Sequence, residues 1–223
     1  MCGRFTLTLD ANELRQAFPW LTIPDRDLPP RYNIAPTQPV AVVANNHPDR
    51  LDFFSWGLIP SWAKDPKMGS RLINARAETL AEKPAFRSAY RRRRCLVLAD
   101  GFYEWRKEAG TSRRTPMYIR MKSGEPFGFA GLWETWNSPL GDLVLSCTIV
   151  TTTPNELLAP IHDRMPAILP HEHYERWLDP GEQHPEQLAP LLRPYPADRM
   201  EAYAVSSLVN SPAYDTAECI RPV

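Results

Sequence analysis

Apolar positions along this chain come in short blocks: Val40 to Ala44, Leu51 to Trp56, Cys95 to Ala99, Met117 to Met121, Phe127 to Trp133, Val144 to Thr151 and Glu201 to Val205. Each block is rich in β-branched or aromatic residues and bounded by turn formers, which predicts strands. Helical spacing is rarer. Asp10 followed by Glu13 reads as a capping-box variant, predicting a short helix that runs to Phe18. Glu78 to Arg92 is helix-like with a break at Pro84, and His171 to Leu178 is a third helical segment. Gly110 to Arg114 reads as a hairpin tip and Gln183 to Pro196 as a polar excursion. Strands dominate, and the helices between them lack a regular βαβ alternation. The expected fold is α+β: a single compact domain over residues 1–223, built around a largely antiparallel, barrel-like β-sheet with short helices.

Composition sharpens this picture in two respects. Proline occurs 24 times, spread along all 223 residues, which cuts the chain into short elements and argues against a doubly wound sheet. Lysine plus arginine and aspartate plus glutamate number 26 each, so the formal net charge is zero. A protein held to nucleic acid by bulk electrostatics is normally basic, so any such contact here must come from a local cluster. No apolar run approaches the length of a membrane span, and the N-terminus lacks the basic stretch and apolar core of a secretory signal. A cytoplasmic location without membrane contact is expected. The four cysteines (2, 95, 147 and 219) are scattered without metal-ligand spacing. Cys95 and Cys147, inside apolar blocks, are expected to be small core residues.

The chemistry concentrates at the start, Met1-Cys2-Gly3-Arg4-Phe5. Cysteine is small enough for removal of Met1 to be expected, leaving an exposed α-amine and thiol together on Cys2. Such a 1,2-aminothiol condenses with an aldehyde to an imine, which the thiol closes to a five-membered thiazolidine. Unperturbed pKa values of about 8 for the amine and about 8.5 for the thiol leave both partly reactive near neutrality. Arg4 is expected to lower both further.

Three more segments carry ionisable or amide groups. Asn74 and Arg76, two residues apart, share one face if the chain there is extended, as a phosphate or sugar clamp requires. Glu104 sits among Phe102, Tyr103 and Trp105, where burial would raise its pKa toward acid–base use. His162, followed by Asp163 and Arg164, is placed to move protons at neutral pH. Each also has a plainer reading: a loop closure, a solvated strand glutamate, a capped turn histidine. Trp62, at the tip of a proline-set loop, can stack on a base or simply cover the core. The arginines between Arg87 and Arg94 are the densest basic stretch and the candidate local positive field.

Taken together, these segments resemble the SOS response-associated peptidase (SRAP) family of abasic-site processing proteins. The resemblance runs along nearly the whole chain. It takes in Met-Cys-Gly-Arg-Phe, Arg31-Tyr32-Asn33-Ile34-Ala35-Pro36, Trp56 to Trp62, Asn74-Ala75-Arg76-Ala77-Glu78-Thr79 and Ala99 to Trp105. It continues through Ala130 to Glu134, Thr151-Thr152, Ile161 to Pro166, Val205-Ser206, Val209-Asn210 and Arg221-Pro222-Val223.

The resemblance implies a DNA-damage, SOS-response role in which Cys2, freed of Met1, forms a covalent protein–DNA linkage with an abasic site in single-stranded DNA. It further implies that Asn74 orients the sugar or the amine, Glu104 moves protons, and His162 acts as acid or base at the sugar. Arg4 and Arg76 would hold flanking phosphates, with Trp62, Thr151 and Arg164 as further DNA contacts. A self-processing peptidase or hydrolase step and β-elimination, which is lyase chemistry, accompany this reading. No metal or organic cofactor is implied, and a monomer associated with the nucleoid is expected. Two other classes compete. An N-terminal-nucleophile amidotransferase also begins Met-Cys-Gly, but continues with an apolar residue where Arg4 stands. A non-covalent single-stranded DNA module would release its DNA in salt.

Overall fold

Two sheets meet along the first strand of the chain. The computed structural model describes residues 2–24 and 27–223. In chain order the strands are β1 (Phe5–Leu7), β2 (Arg31–Ile34), β3 (Pro39–Ala44), β4 (Leu51–Trp56), β5 (Asn74–Arg76), β6 (Arg94–Ala99) and β7 (Gly101–Lys107). They continue as β8 (Arg114–Met121), β9 (Phe127–Asn137), β10 (Leu143–Thr152), β11 (Met165–Pro166), β12 (Ile168–Leu169) and β13 (Met200–Ala204). The α-helices are short: α1 (Ala11–Ala17), α2 (Arg87–Arg92), α3 (Tyr174–Trp177) and α4 (Pro185–Leu188).

Five strands close into a barrel. β10 runs parallel to β4, with Cys147 opposite Trp56. β4 then pairs antiparallel with β3, β3 with β6, β6 with β9, and β9 back with β10. Closure removes the free edges that an open sheet would present. Past the point where β4 ends, β5 takes over the same side of β10, placing Asn74, Ala75 and Arg76 opposite Ile149, Val150 and Thr151. The second sheet, in the order β13-β8-β7-β1-β2, is antiparallel throughout.

The sheets join at a sharp corner, because only Asp100 separates β6 from β7. The Asp100 carboxylate accepts hydrogen bonds from the Thr6 and Thr8 hydroxyls and the Thr8 backbone N–H, tying the corner to β1. Gly101 follows because the Tyr118 ring fills the space a side chain would need: a Cβ there would lie 2.1 Å from the phenolic oxygen. β1 is short but firmly held. Phe5 is fully buried and packs edge-on against Trp56 and Phe129, so the residues just before it enter the interior with it.

The α+β reading of the sequence holds, barrel included, and all seven expected strands are present. β9 and β10 run longer than expected, to Asn137 and from Leu143, as one hairpin. The segment expected as a helix from Glu78 to Arg92 is helical only as α2, after a 3-10 turn at Ala77–Thr79. The segment from His171 is a 3-10 turn leading into α3. Gln183 to Pro196 is more than a polar excursion, since α4 and the turn after it bury Leu188, Leu191 and Leu192.

The run of arginines is only partly free to act as a local positive field. Arg91 and Arg92 pair with Glu182, and Arg93 pairs with Glu134. Arg94 is wholly buried, its guanidinium donating to the carbonyls of Trp177, Tyr90, Arg91, Asp179 and Gly181. Four of the five arginines therefore have their charge or donors engaged, although Arg91 and Arg92 stay about half exposed and share one carboxylate.

Candidate active site

Cys2, Asn74, Glu104 and His162 come from four separate stretches of chain that converge where β1 and β7 meet β5 and β10. The route to each is short. Phe5 anchors the N-terminus, so Cys2 lies inside with no exposed surface. Asn74 opens β5 and donates its amide N–H to the Cys2 carbonyl at 2.7 Å. Its carbonyl Oδ1 is buried and accepts no hydrogen bond from the described residues. Glu104 lies on β7, opposite Met117 of β8, and is 1% exposed. His162 follows the turn after β10, with its Nε2 3.9 Å from the Glu104 carboxylate.

Burial dominates the electrostatics here. Loss of water pushes the Glu104 carboxyl up to about 7, so it shares a proton with solvent across neutral pH. The same loss, reinforced by the negative charge of Glu104, pushes the Cys2 thiol far above its usual range. Two expectations are overturned: Cys2 is not exposed, and its thiol is not activated by Arg4. The Arg4 guanidinium points elsewhere, donating from Nη1 to the Asn33 side-chain oxygen (2.7 Å) and the Val209 carbonyl (2.6 Å).

Burial also holds the His162 pKa down, which favours the neutral ring. The Arg164 backbone N–H donates to Nδ1 at 3.0 Å, so in the neutral ring the proton sits on Nε2, on the Glu104 side. The exposed Asp163 carboxylate, 2.9 Å from Nδ1, becomes an ion-pair partner once the ring is protonated.

The expected DNA contacts divide into two groups. Trp62 is 58% exposed, and Arg76, at the end of β5, is exposed with no carboxylate bonded to it among the described residues. Thr151 and Arg164 are placed differently. Thr151 has no exposed surface, so in this conformation it offers no contact of its own; its carbonyl accepts from Arg164 Nη2 at 2.6 Å. Arg164 is bonded through both terminal nitrogens to the Glu78 carboxylate, at 2.8 and 2.9 Å. Among the described residues no group of three or more His, Cys, Asp or Glu side chains stands close enough to hold a metal ion.

Two residues went unassigned in the sequence reading. Asn33 is fully buried, takes the Arg4 guanidinium on its oxygen, and donates to the Ser211 and Tyr214 carbonyls. Asp215 accepts from the Tyr32 and Asn33 backbone N–H groups and pairs with Arg31. Asn33 lies in the Arg-Tyr-Asn-Ile-Ala-Pro segment already singled out; nothing local marks Asp215. Together they brace the pocket behind Arg4.

Comparison with known proteins gives this geometry a context. The abasic site processing protein YoqW of Bacillus subtilis (strain 168) is 49% identical over 99% of both chains. The abasic site processing protein HMCES of Rattus norvegicus is 34% identical, spanning 100% of this chain and 76% of its own length. A crystal structure of a Bacteroides thetaiotaomicron protein superposes with a TM-score of 0.88 at 29% identity, covering both chains completely. Another, from Bordetella bronchiseptica, gives a TM-score of 0.78 at 26% identity over 92% of this chain and 100% of its own. The family model for SOS response associated peptidase (SRAP) matches residues 1–212, and this chain belongs to that family.

Proposed function

We propose that this protein captures abasic sites in single-stranded DNA as a covalent thiazolidine on Cys2 and so shields the lesion from cleavage. Its relatives YoqW and HMCES carry the name abasic site processing protein. The observation that carries the reading is the convergence on Cys2: the Asn74 amide on its carbonyl, and a buried Glu104 carboxyl near enough to raise its thiol pKa.

The steps follow from these groups. Hydrolysis of the Met1–Cys2 peptide bond, the self-processing step, converts the Cys2 backbone nitrogen to an amine. That amine adds to the aldehyde carbon of the ring-opened sugar, giving a carbinolamine. Glu104, still partly protonated near its pKa of about 7, gives a proton to the hydroxyl, which leaves as water and forms the imine. The thiol then adds to the imine carbon and its proton passes to the nitrogen, closing the ring with net loss of one water. A thiol held neutral by burial suits this order: the amine leads and the sulfur follows.

His162 would serve as acid or base at the sugar, both in closure and in reversal. The imine also permits β-elimination, the lyase route. Arg4, Arg76 and Trp62 would hold the strand, with Thr151 supporting Arg164 from beneath. One domain, acting as a monomer in the cytoplasm and on the nucleoid, suffices for this chemistry.

The test is intact mass under denaturing conditions, after incubation with single-stranded DNA bearing one abasic site. The expected species is protein lacking Met1, plus DNA, minus one water, and absent for Cys2→Ala. A protein that has lost Met1 and forms no adduct across neutral pH overturns the proposal. Glutamine hydrolysis by that protein would instead favour the amidotransferase reading.

A further inference from the structure

Glu78 occupies the guanidinium that a DNA phosphate would seek. The two Glu78 carboxylate oxygens meet the two terminal nitrogens of Arg164 in a bidentate pair, the same geometry an arginine offers to phosphate. The partners are unequally held. The Arg164 side chain is 11% exposed and is separately anchored by the Thr151 carbonyl, whereas Glu78 is 48% exposed on the 3-10 turn after β5. The carboxylate can therefore swing into solvent while the guanidinium stays aimed. Arg76, two residues before Glu78 and opposite Thr151 in the ladder, places a second cation beside it. One carboxylate thus lies within the field of two arginines.

We propose that Glu78 is a built-in competitor of the DNA backbone, which must be displaced from Arg164 before a phosphate can dock there. It keeps non-covalent affinity for undamaged single strands low, so that retention depends on the adduct. This inference rests on the reading of the site as a single-stranded DNA site. Its ionic consequence is specific. Salt weakens a phosphate contact at Arg164 but also weakens the Glu78 pair that docking must break, so the two effects offset and the site contributes little to salt dependence. Without Glu78 the exchange becomes a simple phosphate contact.

The experiment is equilibrium binding of an undamaged fluorescent single strand to the full chain over a salt series. Glu78→Gln should bind roughly two- to fivefold tighter at low salt. Its log–log salt slope should steepen by about 0.7, one single-strand phosphate. Glu78→Ala should show the same gain, and Arg164→Gln added to Glu78→Gln should erase it. Unchanged or weaker binding by both Glu78 variants would mean that the carboxylate holds the site's shape, and would overturn the proposal. Since no abasic site is present, the outcomes separate. Tighter binding by Glu78→Gln without any adduct on damaged DNA leaves this inference standing and removes covalent capture; adduct formation without tighter binding does the reverse.

Discussion

Glu104 keeps a carboxyl where charge is costly. Its folded pKa of about 7 lies above the ordinary value of 4.5, so the folded state holds this proton more tightly than the unfolded chain does. The stability this contributes is fully present below about pH 4.5 and is lost as pH rises through about 7, a change bounded by roughly 3 kcal/mol. Glu104→Gln keeps the shape without the charge. The variant should therefore gain on the parent as pH rises from about 4 to about 8, read as the difference between denaturant midpoints converted to free energy. A parent whose stability does not fall across that window would show that Glu104 ionises freely inside the fold. At this scale the sequence shows which groups can react but not their state. The aminothiol of Cys2 is legible in the first residues, and the aromatic neighbours of Glu104 correctly signal its burial. The suppression of the Cys2 thiol and the turning away of Arg4 depend on Asn33, Glu104 and Val209, which lie far along the chain.

Elements written by local chemistry were readable; those written by distant partners were not. Helix α1 is of the first kind. Asp10 accepts from the Asn12 and Glu13 backbone N–H groups, and the Glu13 carboxylate accepts from the Asp10 N–H, completing the capping box. Asp10→Ala should cost about 1 kcal/mol of stability, measurable as a lower urea midpoint with an unchanged slope. No loss would mean that packing of Leu14 alone holds the helix. Strand β1 is of the second kind. Three residues carry too little alternation to register, and Phe5–Leu7 becomes a strand because β2 and β7 flank it. The arginines near α2 misled for the same reason. Their partners Glu182 and Glu134 lie far along the chain, so a run that reads locally as wholly free positive charge is partly paired once folded.

At the scale of the whole molecule, zero net charge and a partly paired arginine run set how DNA can be held. Of the expected phosphate contacts, Arg4 and Arg76 have no carboxylate bonded to them among the described residues, while Arg164 is bound to Glu78. Two phosphate contacts predict a single-strand salt slope of about −1.4, a loss of about sevenfold in affinity between roughly 50 and 200 mM salt. Had Arg87, Arg91, Arg92 and Arg93 also met the strand, six contacts would give about −4 and a loss of about 300-fold. Titrating an undamaged oligonucleotide against salt distinguishes these cases. The shallow slope is expected, with Arg91→Gln leaving it unchanged. A steep slope that falls on substituting Arg91 or Arg92 would mean that DNA pulls these side chains off Glu182, and a hold limited to Arg4 and Arg76 would be ruled out. On the proposed reading, so shallow an ionic hold leaves retention on a lesion chiefly to the covalent bond at Cys2. Under that proposal the aminothiol gains from a terminus clamped between two sheets instead of a mobile arm, because Cys2 is then already held beside Asn74 and Glu104.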